Sequence, residues 1–452
     1  MRICMFVRNE GLRDPRVTRE AETAVAAGHA VTVICALRHD DAGPTDCVQR
    51  GVRFLRSRGG RSRPAPATRG PRPGPCPAPM RRPAAGASPE ATMSPNPVEG
   101  GDAGDRSGGE DSGSAGWRHR LWSWRRGKRR WLDWVRLGLS LDCDVYHAHD
   151  CNALSAATVC AVLTGRTLVY DSHELWLEWN EMRGASRGQV RRWWPVERVG
   201  TSLAARCVTV SEGLADVLGR RYHRRDVLVV KNCPRRRDVT ALQPREQARR
   251  ELGWAPQEKI VLHQGGLLAC RGLAELVQAA GTLPDVRFVL VGPDSAYARE
   301  LRAAAPRLSA GNVEFTGHRE EAVRDQMMRA ADLGAVLTQD RSTSYRFSLP
   351  NKMFEYMSNG LPTLASDLPT HRQIVAETGA CVLVDADDPA AIADGIRRFF
   401  ALGEDQRRRM GEQALAAHLS KYNMEAQMAP LLAFYESCAD RFGRAEPRRG
   451  HG

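Results

Sequence analysis

SLPNKMFEYMSNGLPTLASD (348–367) fits a helix, a turn and a strand into one short stretch. Met353, Tyr356 and Met357 fall at helical spacing and give KMFEYMSN an apolar face, which leaves Lys352 and Glu355 near one another on a different face. After Gly360 and Pro362 the chain resumes as a β-rich run, LPTLASD. An acid near a helix start can simply compensate the helix dipole. Beside Lys352, at a helix N-terminus that faces a cleft, it can also hold a polar ligand.

The same alternation runs through the C-terminal half. KIVLHQGG (259–266), VRFVLVGP (286–293), VEFTGH (313–318), LGAVLTQ (333–339) and ACVLVD (380–385) are compact strand patterns separated by amphipathic helices. The N-terminal half begins likewise. RICMFV is followed by Asp14-Pro15, an N-cap with proline at the first helical position, then by a helix ending at Gly28 and the strand AVTVICAL. DVYHAH (144–149), TLVYDSHE (167–174), CVTVS (207–211) and VLVVKN (227–232) continue the series. Strand–helix–strand units of this length cross over right-handed and build parallel sheets.

The expected fold class is therefore α/β, with two Rossmann-like domains whose parallel sheets face a central cleft. The first spans residues 1–235 and the second residues 245–420, and the stretch 421–445 is a C-terminal helix crossing back to the first domain. Ligands of open parallel sheets bind at the carboxyl ends of the strands. That rim would carry His149, Asp150, His173, Glu174, Ser211 and Asn232.

A length of 452 residues and a hydrophobic fraction of 42% suit two or three packed domains. Twelve cysteines without a CxxC pair argue against a zinc ribbon or a disulfide framework and favour a reducing, cytoplasmic setting. MRICMFVRNEG does not read as a signal peptide, and no run approaches the roughly 20 apolar residues of a spanning helix. Any membrane contact is then peripheral, at the inner face.

Residues 58–116 hold eleven of the 26 prolines and twelve of the 41 glycines with almost no large apolar residue, so they are expected to form a disordered insertion. The charge of +13 is local rather than general. Residues 117–136 carry seven arginines, Lys128 and a single acid, Asp133, a net +7. The segment 117–139 also holds five of the ten tryptophans. Trp117, Leu121 and Trp124 keep helical spacing, as do Trp131, Val135 and Leu139, with Gly127-Lys128 interrupting. Aromatic residues beside dense arginine suit an anionic membrane surface; the alternative is an amphipathic helix packed on its own domain. Nucleic acid is not expected as a partner.

Seven segments in order, DPRVTREAETAVAAGHAVTVI, VYHAHD, VYDSHE, VLHQGGLLACRGL, VRFVLVGP, VEFTGH and NKMFEYMSNGLPTLASD, resemble the retaining glycosyltransferases of family 4, the group 1 glycosyltransferases, which have the GT-B fold. The resemblance covers nearly the whole chain outside about 57–140. It implies transfer of a sugar from a UDP- or GDP-type nucleotide sugar to a glycan or lipid-linked acceptor. The donor is a substrate, and neither a cofactor nor a metal is implied.

By that resemblance the donor site comprises Gly265, Gly266, Arg271, His318, Ser348, Leu349, Pro350, Asn351, Lys352 and Glu355. Within it Glu355 takes the ribose hydroxyls. His149 faces the sugar from the first domain and, with Arg271, Lys352 and Glu355, forms the catalytic set. Asp14, Arg16, His173 and Glu174 border the acceptor. The physical reading agrees: glycines between strand and helix admit phosphate to backbone amides, and Arg271 can clamp two phosphate oxygens. Two departures stand out. Arg271 replaces a lysine while Gly266 stands where an arginine is usual, and Phe347 stands where a sugar-contacting acid is usual. Tyr345, Ser348 or the backbone of 348–350 would then handle the sugar.

Other readings of the same residues are a silent nucleotide-sugar- or membrane-binding partner protein, a nucleotide-sugar epimerase, or a metallohydrolase built on His147, His149, Asp150, His173 and Glu174. Asp385, Asp387 and Asp388 resemble a metal cluster but read best as a polar turn and a helix cap.

Overall fold

The computed structural model describes residues 1–12, 14–37, 45–57, 113–178 and 187–441. Among these residues fourteen strands form two sheets. The first sheet holds β1 (Arg2–Phe6), β2 (Ala30–Ala36), β3 (Asp46–Gln49), β4 (Val52–Ser57), β5 (Val145–His149), β6 (Thr167–Ser172), β7 (Arg206–Thr209) and β8 (Val227–Val229) in the order β3-β4-β2-β1-β5-β6-β7-β8. The second holds β9 (Lys259–Gln264), β10 (Val286–Val291), β11 (Val313–Gly317), β12 (Leu333–Val336), β13 (Thr363–Ser366) and β14 (Cys381–Val384) in the order β11-β10-β9-β12-β13-β14. Every pairing is parallel except the β3–β4 hairpin, an edge that the sequence patterns did not reveal. Strand order reverses between β1 and β5 and between β9 and β12, and such reversals open the crevice in which α/β sheets bind ligands.

Burial on both faces explains the near-continuous apolar strands. In β1, Ile3 and Met5 enter a core with the helix Pro15–Ala26, while Cys4 and Phe6 enter another with helices Gly113–Ser140 and Cys151–Thr164. The first core also takes Met424, Met428, Leu431 and Tyr435 of the helix Met424–Arg441. That helix therefore packs on the first sheet although it follows the second in sequence. In the second sheet, Val261 and Ile260 separate the two cores in the same way.

The region 58–139 departs from expectation. Residues 58–112, the body of the expected disordered insertion, lie outside the described residues, as do 442–445 of the C-terminal stretch. Residues 113–116 are helical rather than part of the insertion. They open a single helix, Gly113–Ser140, which runs through Gly127-Lys128 without interruption. Its inward face is also different. Trp134, Val135 and Leu137 are buried with Trp131 against them, whereas Leu139 is exposed. Trp134, and Trp131 in part, thus serve the core of their own domain, while the side chains of Trp117, Leu121 and Trp124 lie outside the described residues. No described helix is long and apolar enough to cross one.

Trp134→Ala should destabilise the protein by about 3–5 kcal/mol through lost burial and a residual cavity, whereas Leu132→Ala, on the exposed face of the same helix, should change stability by about 0.5 kcal/mol or less. Urea unfolding of the two variants checks this; equal effects would mean that the helix is not seated as described.

Candidate active site

The N-terminal half of the site is organised by the first helix. Asp14 caps it, Oδ1 accepting the amides of Arg16 at 3.0 Å and Val17 at 3.3 Å, while Oδ2 accepts Asn9 Nδ2 at 2.5 Å. Arg16 and Glu20, one turn apart, face inward and are buried. Arg16 Nη2 donates to both Asp171 oxygens, at 2.8 and 2.7 Å, and its Nε lies 2.9 Å from Glu20 Oε1. Burial alone would raise the Asp171 carboxyl, but Arg16, then His173 and His149, hold it well below the usual carboxylate range. Burial raises Glu20, against the pull of Arg16.

Three histidines complete this cluster at the ends of β5 and β6. His149 stacks on His147 with ring centroids 4.4 Å apart, and its Nδ1 lies 3.2 Å from His173 Nε2 and 3.4 Å from Asp171 Oδ2. His149 is fully buried and its Nε2 has no hydrogen-bond partner. His147 Nδ1 meets the Tyr435 hydroxyl at 2.7 Å, which ties the C-terminal helix to the site, and burial then His149 lower its pKa well below the ordinary value. Burial and Arg16 work against a charged His173, but Asp150 and Asp171 outweigh them and raise it to about 9.

Ligating atoms of Glu20, His147, His149 and Asp171 lie within 4.8 Å of one another. This set does not suit a divalent cation, because its two carboxylates already share the buried Arg16 guanidinium and Asp171 also meets a cationic His173. An incoming ion would have to expel one positive group to reach them.

The C-terminal half is built around the end of β9. Gly265 takes a φ of +117°, and its amide donates to the Val291 carbonyl at 2.8 Å. Lys352, second residue of the helix Asn351–Ser358, lies over this turn, and a Cβ at Gly265 would stand 3.7 Å from its Nζ. Lys352 Nζ is 3.2 Å from His263 Nε2. Burial, then Arg271, lowers the lysine to about 7, against a counter-pull from Glu355. His263, driven well below its ordinary pKa by burial and then by Lys352, is the neutral acceptor of that contact. Arg271 lies over the Tyr345 ring, 5.2 Å from its centroid.

Glu355 joins the two halves. Its Oε2 accepts Gln264 Nε2, and its Oε1 lies 3.4 Å from Nη2 of Arg19, which also reaches Asn232 Oδ1. Met353, Tyr356 and Met357 are buried beneath it, as their spacing indicated.

The loop before this helix accounts for the phenylalanine at 347. The Phe347 ring leaves the C-terminal domain and packs with Leu175, Leu214 and Leu218 of the N-terminal domain. A Cβ at Gly213 would lie 2.2 Å from the ring, so only glycine leaves room for it. The Phe347 carbonyl accepts the Ser211 hydroxyl at 2.6 Å. Where a sugar-contacting acid was expected, the chain places an apolar contact between domains. The neighbouring groups are also committed: Ser348 Oγ donates to the Tyr345 carbonyl at 3.0 Å, Leu349 is buried, Pro350 stands at the N-cap, and Asn351 is exposed.

The remaining predicted residues lie apart from these clusters or in other roles. Gly266 is exposed beyond the Gly265 turn, His318 and Arg319 are exposed after β11, and Glu174 is exposed beside His173. Arg16 is turned inward to Asp171 and Glu20 rather than presented on the first loop. Asp388 caps the helix Pro389–Ala401, and Asp387 accepts Gln339 and Arg341. Sequence reasoning missed Asp171, Glu20, Arg19, Gln264 and Gly213.

Two family profiles match this chain: "Glycosyltransferase Family 4" over residues 98–233 and "Glycosyl transferases group 1" over residues 258–401. A D-inositol 3-phosphate glycosyltransferase of Corynebacterium urealyticum is 30% identical over 203 residues, 42% of this chain and 46% of the relative. The chain thus spans about half the length of the curated relatives it matches. Among solved structures, sucrose-phosphate synthase of Thermosynechococcus elongatus superposes with a TM-score of 0.72 at 17% identity, covering 98% of this chain and all of that one. HepE of Anabaena in complex with UDP gives 0.63 at 14% identity, covering 97% and 100%. These likenesses establish the GT-B fold.

His173 offers a test of the buried cluster. With a pKa of about 9 in the fold and 6.5 otherwise, it contributes stability in full below about pH 6.5 and loses it as pH rises through about 9. His173→Gln should therefore be less stable than the parent at pH 6, with the difference vanishing by pH 10. Thermal unfolding at the two pH values reads this, and a difference independent of pH would remove the charge from His173.

Proposed function

This chain belongs to glycosyltransferase family 4, the group 1 glycosyltransferases, and from that membership we propose that it moves a sugar from a UDP- or GDP-type nucleotide-diphosphate donor to a polysaccharide or lipid-linked acceptor, with retention of configuration, at the cytoplasmic face of a membrane. The observation that carries this reading is that Lys352 lies over the Gly265 turn while Glu355, one helical turn on, accepts Gln264 beside it, with Arg271 near enough to lower the lysine. Two basic groups and a carboxylate around the end of β9 match a diphosphate followed by a ribose.

In this proposal Arg271 and Lys352 bind the diphosphate, and Glu355 gives up its Arg19 contact to accept the ribose hydroxyls. The acceptor hydroxyl attacks the anomeric carbon on the face from which the diphosphate leaves. The bond from that carbon to the β-phosphate oxygen breaks, the bond to the acceptor oxygen forms, and the phosphate oxygen takes the acceptor's proton. Arg271 and Lys352 stabilise the charge that builds on the leaving group. On the opposite wall the buried His149 Nε2 has no hydrogen-bond partner, and domain motion would bring it to the sugar. Charge compensation by two side chains leaves no step that calls for a metal.

UDP or GDP should raise the Tm, and Glu355→Ala should weaken that nucleotide's affinity about tenfold or more, the cost of leaving hydroxyls unpaired. No stabilisation by any nucleotide would overturn the proposal, and binding without turnover across acceptors would turn it toward a silent partner.

Lys352 gives a second, independent readout. Depressed to about 7, it is largely neutral at pH 8, and a bound diphosphate favours its charged form. Nucleotide binding at pH 8 should take up close to one proton, measured by calorimetry in buffers of different ionisation enthalpy, and Lys352→Met should abolish the uptake. No uptake by the parent would remove Lys352 from the phosphate site.

A further inference from the structure

Helices Gly113–Ser140, Cys151–Thr164 and Arg187–Leu203 form one layer on the first sheet, with Cys151–Thr164 between the other two. Their inner sides fill the core. Their outer sides carry seven of the ten large hydrophobic residues that are exposed among the described residues. The middle helix, which has no charged residue, exposes Val162 (61%) and Leu163 (67%); its neighbours add Leu132, Trp194 and Val199.

The charges are sorted as sharply. Lys128, Arg129 and Arg136 are exposed on one flank, and Arg191, Arg192 and Arg198 on the other. The three helices contain only two acids, and both turn inward: Asp133 to the Ser57 hydroxyl at 3.1 Å, and Glu197 to the Tyr170 and Tyr222 hydroxyls at 2.7 Å. Arg198 lies over the Trp194 ring at 5.0 Å, so the aromatic and cationic groups share one surface. An aliphatic centre bordered by cations, with its acids withdrawn, is a surface made for an apolar layer covered by anions.

We propose that the outer face of this three-helix layer rests on an anionic lipid surface, with Val162 and Leu163 entering the headgroup–acyl boundary and the flanking arginines on lipid phosphates. A second copy of the chain fits less well, because a two-fold contact through this face would oppose cations to cations. Nucleic acid fits less well too, because the most exposed groups are aliphatic and give nothing for bases to stack on.

Flotation of the full chain with phosphatidylcholine vesicles, with and without phosphatidylglycerol, tests the proposal. The parent should float with the anionic vesicles at low salt and not with the neutral ones. Val162→Glu/Leu163→Glu should lower the bound fraction tenfold or more, and Arg191→Glu/Arg192→Glu should weaken binding on the order of fivefold for each charge removed. Both double variants should keep the parent's Tm response to UDP, which shows them folded and separates loss of this surface from failure of the donor site. Equal flotation of parent and variants, or no binding to anionic vesicles, overturns the proposal. Displacement by a single-stranded oligonucleotide with Val162→Glu/Leu163→Glu unaffected would overturn it in favour of nucleic acid.

Discussion

A single buried guanidinium holds the N-terminal wall of the cleft in shape. Arg16 is 3% exposed and bonds both oxygens of Asp171 while touching Glu20. A carboxylate at the end of a buried strand is tolerable only when such a partner satisfies it, because desolvating an unpaired charge costs several kcal/mol. The pair therefore fixes the first helix against β6. It also sets the charge felt by His149 and His173, which hang on the same carboxylate. With the carboxylate anchored, His173 stays cationic and His149 is held between it and His147. Removing the guanidinium would release more than one salt bridge: the order of strand ends, helix and histidines rests on it.

The opposite wall uses a looser arrangement. Glu355 is not buried, and its partners, Gln264 from its own domain and Arg19 from the other, hold it by two contacts that a ligand can replace. Phe347 is the firmer link between domains, since it enters an apolar cluster and needs Gly213 to do so. The two contacts divide the work. One keeps the loop before Asn351–Ser358 against the N-terminal domain, and the other links Glu355 of that helix to Arg19 across the cleft. A carboxylate at 347 could not make the first contact without burying a charge, so losing an acid there and gaining an interdomain seat are one structural fact.

Much of this was legible in the sequence because parallel strands buried on both faces announce themselves as short apolar runs, and Asp14-Pro15 and Asp388-Pro389 mark helix starts by capping chemistry alone. The helix Asn351–Ser358 was equally legible, since Met353, Tyr356 and Met357 fix which way Lys352 and Glu355 must point. What escaped depends on contacts distant in sequence. Asp171 looked like the polar end of a strand, and only its juxtaposition with Arg16, 155 positions away, makes it the centre of a cluster. Gly213 carries no signal until Phe347 arrives from the other domain. Two signals were present and unused: an i, i+4 Arg16–Glu20 pair on the inward face of an amphipathic helix, and the polar Gln264 after His263 at the carboxyl end of a buried strand. The β3–β4 hairpin was lost because Arg50-Gly51 interrupts two runs too short to stand out. That Trp134 and part of Trp131 face inward was not legible, because aromatic residues beside arginine look alike whether the rings or the guanidinium groups face outward, and only packing separates the two.

The two faces of the first sheet differ in a way that bears on how a lipid surface and a cleft could work together. One face is closed by the helices Pro15–Ala26 and Met424–Arg441, which also carry the groups that tune the histidines. The other is covered by the three-helix layer, whose outer side is cationic and aliphatic. The cleft lies at the carboxyl edge of the strands, and that edge is perpendicular to both faces. A domain resting on lipid through the three-helix layer therefore keeps its cleft beside the surface rather than beneath it. In that arrangement an acceptor anchored in the lipid reaches the cleft from the side, while a water-borne donor enters between the domains. The side chains on the outer face of the three-helix layer are not those of the cleft, so membrane contact and donor binding need not compete for them.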